Sequence, residues 1–388
     1  MGLGYSRNDK DTEIQNLKYQ LEEKTNLVTI LESELNAIKN MDNDKSLNPT
    51  IIREINKAQT KHDYEYLVFS GGAIKGISFT GALMELESRG IIYDESGKFK
   101  LKGIATVSVG SIVGSLLAVG YKANELYRIA TNLKFEKIFD DKIGYIRDTI
   151  NFLKDWGVCP GEYIQKFLGE LIAQKTGNPD YTLEQLQADK GIKLVIVSTD
   201  MCSKKTIYLY AGNPIKEFSN IPIRKAVRMS LGIPFAFEPY NYNDCVLVDG
   251  GVLDNYPLHV FDGDFPGDPK ARLNLCPANP KVLGLKIMTS DGTLDYDLVN
   301  KQKFNNLFDY SYSFVDTFLT ENERRIMTPS FWLRTIIIVT PNYPLIKTSI
   351  TDNERNKLIE TGKKYVVDFF TNSKSRNYVN FKPRLIDL

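Results

Sequence analysis

The segment Gly103-Ile-Ala-Thr-Val-Ser108-Val-Gly110-Ser111 decides the fold. An apolar β-type run enters Ser108, and a run rich in Ala, Gly and Ser leaves it with helical spacing through Gly120. Strand, sharp turn and helix in immediate succession form a nucleophile elbow, in which the turn pushes a serine oxygen out of a sheet. The turn needs small residues two before and two after the serine, so that strand and helix do not collide. Gly110 meets that need and Thr106 meets it poorly. Ser111 and Ser115 are rival hydroxyls, but both fall inside the helix, where a serine tends to bond back to a preceding carbonyl.

Working outward, the same alternation of apolar run and helix recurs on both sides. Tyr66–Phe69 precedes a helix through Leu83 and Leu86, and Lys193–Val197 follows a helical stretch from Gly161 to Lys175. Cys245–Val248, Val282–Ile287 and Thr335–Val339 are further β-type runs, and a last helix spans about Asp352 to Phe370. Short continuous apolar runs separated by helices imply an α/β domain with a mainly parallel sheet covered on both faces.

Two other turns carry chemistry. Between the first run and its helix lies Phe69-Ser-Gly71-Gly72-Ala73-Ile-Lys75-Gly76. Glycines there allow a tight turn and bare consecutive N–H groups at a helix start, which suits an anion. The spacing fits neither a dinucleotide loop nor a phosphate loop, because Lys75 precedes Gly76 where a phosphate loop has Gly before Lys. The remaining use is to receive an oxyanion in acyl transfer. Val246-Leu-Val-Asp249-Gly250-Gly251 places an acid at a strand end before a turn, a position where α/β sites form; alone, Asp-Gly-Gly is an ordinary structural turn.

Together and in this order, the three turns resemble the patatin-like phospholipase family. Its oxyanion loop reads Gly-Gly-Gly-x-Arg/Lys-Gly, its elbow Gly-x-Ser-x-Gly and its acid Asp-Gly-Gly/Ala. Ala226–Pro239, Asp254–Pro257 and Gly157–Glu162 are similar to further family segments, and the resemblance spans about Glu65 to Phe370. It implies a three-layer α/β/α domain and a lipid acyl hydrolase working by a Ser-Asp dyad, with Ser108 as nucleophile and Asp249 as base. Gly71, Gly72, Ala73, Lys75 and Gly76 would form the oxyanion hole, supported by Thr106, Gly110, Gly250 and Gly251. Phospholipid as substrate follows from the resemblance alone. Ala73 replaces a family glycine and is tolerable at negative φ. Thr106 replaces the elbow's first glycine, so we expect a strained or opened turn that Thr106→Gly would relieve. A lipid-binding scaffold with a spoiled elbow, and an acyltransferase or thioesterase on the same dyad, are the alternatives.

A Ser-His-Asp triad needs an imidazole, and the chain holds only His62 and His259. His259 follows Asp249 in triad order, but its setting reads as structural. Aromatic residues are dense in Phe308–Phe318 and at Phe331-Trp332, with Trp156 elsewhere; such residues are core more often than acyl pocket. No His/Cys/Asp cluster has ligand spacing, so no metal or other cofactor is expected.

Residues 12–40 carry a heptad, with Ile14, Leu21, Val28 and Leu35 on one row and Leu17, Lys24, Leu31 and Ile38 on the other. This predicts a coiled coil and a homo-oligomer; a single amphipathic helix lying on its own domain is the alternative. Asn40–Pro49 reads as a linker, giving residues 1–49 as coiled coil and linker and 50–388 as the hydrolase domain. A net charge of +1 provides no field for nucleic acid or anionic membrane. The scattered Cys159, Cys202, Cys245 and Cys276 point to reduced thiols, and no apolar leader opens the chain. The expected setting is cytoplasmic, with peripheral contact to a membrane or micelle. Met1–Ser6 fits the myristoylation pattern at Gly2, a short pattern that chance often satisfies.

Overall fold

The computed structural model describes residues 45–133, 135–138, 156–289, 310–311, 313–317, 327–344, 347 and 349–371. Gly2, the heptad, Phe308, Tyr312 and Phe318 lie outside the described residues, while Tyr310 and Phe314 are exposed and do not join the core expected of them.

Ten strands are described: β1 Tyr66–Phe69, β2 Gly103–Val107, β3 Gly157–Cys159, β4 Lys193–Asp200, β5 Lys205–Leu209, β6 Phe235–Phe237, β7 Tyr240–Tyr242, β8 Cys245–Asp249, β9 Val282–Thr289 and β10 Thr335–Thr340. The main sheet runs β10-β9-β1-β2-β4-β8-β7, with β5 also on β4, and β3 pairs β6 separately. From β10 to β4 every pairing is parallel, while β5 and β8 both lie antiparallel to β4. Alternate residues of the central strands part to two faces. Leu67, Phe69, Ile104, Leu194 and Ile196 join one core, and Val68, Ala105, Val107, Val195 and Val197 join the other.

The first core is roofed by helices Ser78–Ser88, Val109–Val119, Glu162–Thr176 and Asp352–Thr371. The second is covered by Tyr256, by Leu258 and Val260 of the helical turn Leu258–Phe261, and by Phe331 of the short helix Pro329–Leu333. The C-terminal helix closes the domain against Ser78–Ser88. A Cβ at Gly81 would sit 1.8 Å from the Ile359 carbonyl oxygen, and one at Gly362 equally close to that of Ser78. The first described helix starts at Pro49, capped by the Asn48 side chain, which accepts from Thr50 and Ile51 N–H. Ser46 is buried and its carbonyl accepts the Ala278 N–H at 2.9 Å. The last residues of the expected linker are thus already docked.

The strand registers dictate where the site forms. Residues 196–197 of β4 pair with both β2 and β5, so those strands flank opposite edges. Residues 198–200 pair with both β5 and β8, so β8 shares the β2 edge. There β2 ends at Val107 opposite Val197, and β8, running the other way, ends at Asp249 opposite Ser198. Two strands far apart in sequence meet tip to tip on adjacent residues of β4.

Candidate active site

Ser108 occupies the turn between β2 and helix Val109–Val119 with φ 52° and ψ −132°. A positive φ at a non-glycine residue persists only where surrounding contacts enforce it. Here the Ser108 N–H donates to Ser230 Oγ at 2.9 Å, and Ser230 Oγ donates to the Val197 carbonyl at 2.6 Å. The Ser108 carbonyl accepts from both Ser111 N–H and Ser111 Oγ. That accounts for one rival serine, as the helical position predicts. Ser115 is buried without a partner for its hydroxyl among the described residues.

The crowding expected at Thr106 is relieved elsewhere. Its hydroxyl donates to the Val195 carbonyl at 3.3 Å, and its methyl lies over Gly114, where a Cβ would come within 2.3 Å. Gly110 meets the end of β1, with a Cβ there only 2.6 Å from the Ser70 carbonyl oxygen. The helix therefore makes room for the strand's threonine through a glycine one turn beyond the elbow.

Asp249 is buried at the end of β8. Its Oδ2 accepts from Ser108 Oγ at 2.6 Å, and its Oδ1 accepts from Gly251 N–H at 2.7 Å. Loss of solvation pushes its pKa up to about 7, against the opposing pull of those two hydrogen bonds. Gly250 permits the turn, since a Cβ there would lie 2.4 Å from the Val197 oxygen.

The glycine loop packs against the elbow. A Cβ on Gly71 would sit 3.2 Å from Ser108 Cβ and 2.1 Å from Asn255 Oδ1. Of the five expected oxyanion residues, two spend their N–H groups internally: Gly71 donates to the Asn255 carbonyl at 3.2 Å, and Lys75 to that of Gly72 at 3.1 Å. Gly76 presses on Val109, and Lys75 Nζ donates to Thr289 Oγ1 at 3.0 Å. Among the described residues the N–H groups of Gly72 and Ala73 meet no acceptor. Ala73 adopts φ +48°, so the negative φ at which an alanine would be tolerable there is not met.

His259 lies with other partners. Its Nε2 is 3.2 Å from Tyr208 Oη and 3.7 Å from Asp254 Oδ2, and burial holds its pKa below the ordinary imidazole value. Asp254 in turn accepts from Tyr208 Oη at 2.9 Å. His62 is remote from this chemistry, its Nδ1 3.3 Å from the Arg89 carbonyl oxygen. Phe331 and Trp332 are buried, Phe331 edge-on to Tyr256, whereas Trp156 is exposed. Among the described residues there is no metal-binding cluster and no helix long and apolar enough to cross a membrane.

Sequence reading missed Ser230 and Asn255. Ser230 lies within the family-like stretch Ala226–Pro239, but a serine ending a helix has no local mark of its distant partner.

Residues 67–262 match the family described as patatin-like phospholipase, half of the chain. The uncharacterized protein YqhO of Bacillus subtilis is 24% identical over 76% of this chain and 94% of its own length. Uncharacterized protein R571 of Acanthamoeba polyphaga mimivirus is 25% identical over 81% and 95%. The probable lipid hydrolase 463L of Invertebrate iridescent virus 6 is 30% identical over 51% and 63%. With elbow, acid turn and glycine loop brought together on one fold, the chain belongs to the patatin-like phospholipase family.

Proposed function

We propose that the protein hydrolyses carboxylic esters of lipids, phospholipids foremost, through an acyl-enzyme on Ser108. The observation that carries this reading is the 2.6 Å hydrogen bond from Ser108 Oγ to a buried carboxylate with a pKa of about 7. Asp249 takes the Ser108 proton as Oγ attacks the ester carbonyl carbon. The uncommitted N–H groups of Gly72 and Ala73 receive the oxyanion, and the N-terminus of helix Val109–Val119 adds positive potential. Collapse expels the alcohol, which leaves with the proton from Asp249. Water then gives its proton to Asp249 and attacks the acyl carbon, releasing the fatty acid and restoring Ser108.

The scaffold alternative rests on a spoiled elbow, and the fit of Thr106 over Gly114 speaks against it. Purified Ser108→Ala and Asp249→Asn should each lose at least a thousandfold in kcat on a lipid ester while keeping the fold. A fluorophosphonate should label wild type at Ser108 alone. Retention of most activity in either variant would sink the dyad, and acyl transfer to an alcohol in preference to water would assign a transferase.

A further inference from the structure

We propose that Ser230 is the positioning residue of this elbow, holding the nucleophile's backbone in register with its base. The inference rests on Ser108 as nucleophile. Ser230 closes helix Ile223–Ser230 and is fully buried. Its hydroxyl has one proton, and the Val197 carbonyl at 2.6 Å can only accept it. The Ser108 N–H at 2.9 Å can only donate, so it meets the hydroxyl's lone pair. Both bonds together fix the rotor, and no freedom is left to it.

The carbonyl at the far end of this bridge matters. Val197 pairs with Val107, the residue before the nucleophile, and its oxygen is the one against which Gly250 is pressed. The hydroxyl thus links the backbone that presents Ser108 to the point on β4 where the Asp249 turn rests. Its own helix end is held by the buried Arg228, which donates to the Pro160 carbonyl through Nε at 3.0 Å and Nη2 at 2.7 Å, and to that of Glu238 at 2.8 Å. Without the Ser230 hydroxyl, a strained residue is left with a buried, unpaired N–H, and rotating that peptide toward another acceptor carries Oγ away from Asp249. A shift of about an ångström costs on the order of a hundredfold in rate. A further consequence is that the nucleophile's own N–H is withheld from the oxyanion.

The test compares Ser230→Ala with Ser115→Ala, which deletes a buried hydroxyl that has no partner among the described residues. On a short-chain ester, Ser230→Ala should lower kcat about ten- to hundredfold with KM within twofold, and slow fluorophosphonate labelling of Ser108 by the same factor. The pH midpoint should shift upward, because Asp249 keeps the Gly251 N–H but loses the Ser108 hydrogen bond that lowers its pKa. Ser115→Ala should match wild type. Ser230→Cys, close in volume and a weak donor, is measured alongside and should also fall at least tenfold; it decides the matter if the alanine variant does not fold. All rates are taken well below each melting midpoint. A kcat within twofold of wild type, or a loss equalled by Ser115→Ala, overturns the proposal. A wild-type protein that neither turns over nor is labelled at Ser108 overturns the nucleophile reading and this one with it. A labelled wild type beside an unimpaired Ser230→Ala overturns this one alone.

Discussion

The methyl group of Thr106 lies over Gly114, so closely that a Cβ on the glycine would come within 2.3 Å of Thr106 Cγ2. The two residues are a matched pair across strand and helix. Thr106→Gly should therefore lower both kcat and stability, by about 1–2 kcal/mol for the latter, through a cavity and a looser strand. Gly114→Ala should be severely destabilising alone, and Thr106→Ser should rescue it by removing the clashing methyl. Thermal melts of the double-mutant cycle measure this coupling. Additive effects would show that the two do not share the space.

The raised pKa of Asp249 gives activity and stability opposite pH dependences. As the proposed base Asp249 works ionised, so kcat/KM should rise about tenfold per pH unit below 7 and level off above it. Folding shows the reverse. The folded pKa exceeds the ordinary 3.8, so this group's contribution to stability is full below about pH 4 and is lost as pH rises to about 7. The loss is at most about 4 kcal/mol. Asp249→Asn should thus be inactive yet melt higher than wild type at pH 8, with the gap narrowing toward pH 4. Equal melting temperatures at pH 8 would contradict a buried, strained carboxylate.

Ala73 at φ +48° pays a penalty that glycine does not. Glycine loosens the unfolded chain, which offsets part of the relief. Ala73→Gly should stabilise by up to about 1 kcal/mol and leave KM unchanged. A drop in urea midpoint would mean that the alanine methyl makes contacts worth more than its strain.

The heptad of residues 12–40 lies outside the described residues, and we propose that it sets the oligomeric state. Because Ser46 is buried and Asn48 caps a helix, a truncation should retain Lys45 onward. Light scattering should then show a smaller species with unchanged turnover per site. An unaltered mass would place the heptad on its own domain.

Much of this molecule was legible in its residues, and the limits have physical causes. The apolar runs at Tyr66–Phe69, Gly103–Val107 and Lys193–Val197 became central strands because burial on both faces leaves a continuous signal. The turns at Ser108 and Asp249 were legible because both demand particular small residues, and the structure brings the two side chains within 2.6 Å. The direction of β8 was hidden, because an apolar strand reads the same either way, and only pairing with β4 distinguishes them. Gly114 as the answer to Thr106 was hidden as well: a glycine one turn into an Ala/Gly/Ser-rich helix has no mark of the side chain above it. The left-handed Ala73 ran against its own propensity, and a constraint imposed by distant packing leaves no local trace.

The place of β9 beside β1 has a consequence for synthesis. The glycine loop hangs from β1, yet Ser70 is fastened to a strand made far later: its N–H donates to the Leu285 carbonyl at 3.1 Å, and its Oγ accepts from Ile287 N–H at 3.0 Å. A nascent chain that has delivered both Ser108 and Asp249 still lacks β9, and β1 stands as a bare edge. On the ribosome Ser108 and Asp249 thus emerge before the loop beside them is anchored, and the glycine loop takes its final place only when β9 has been made.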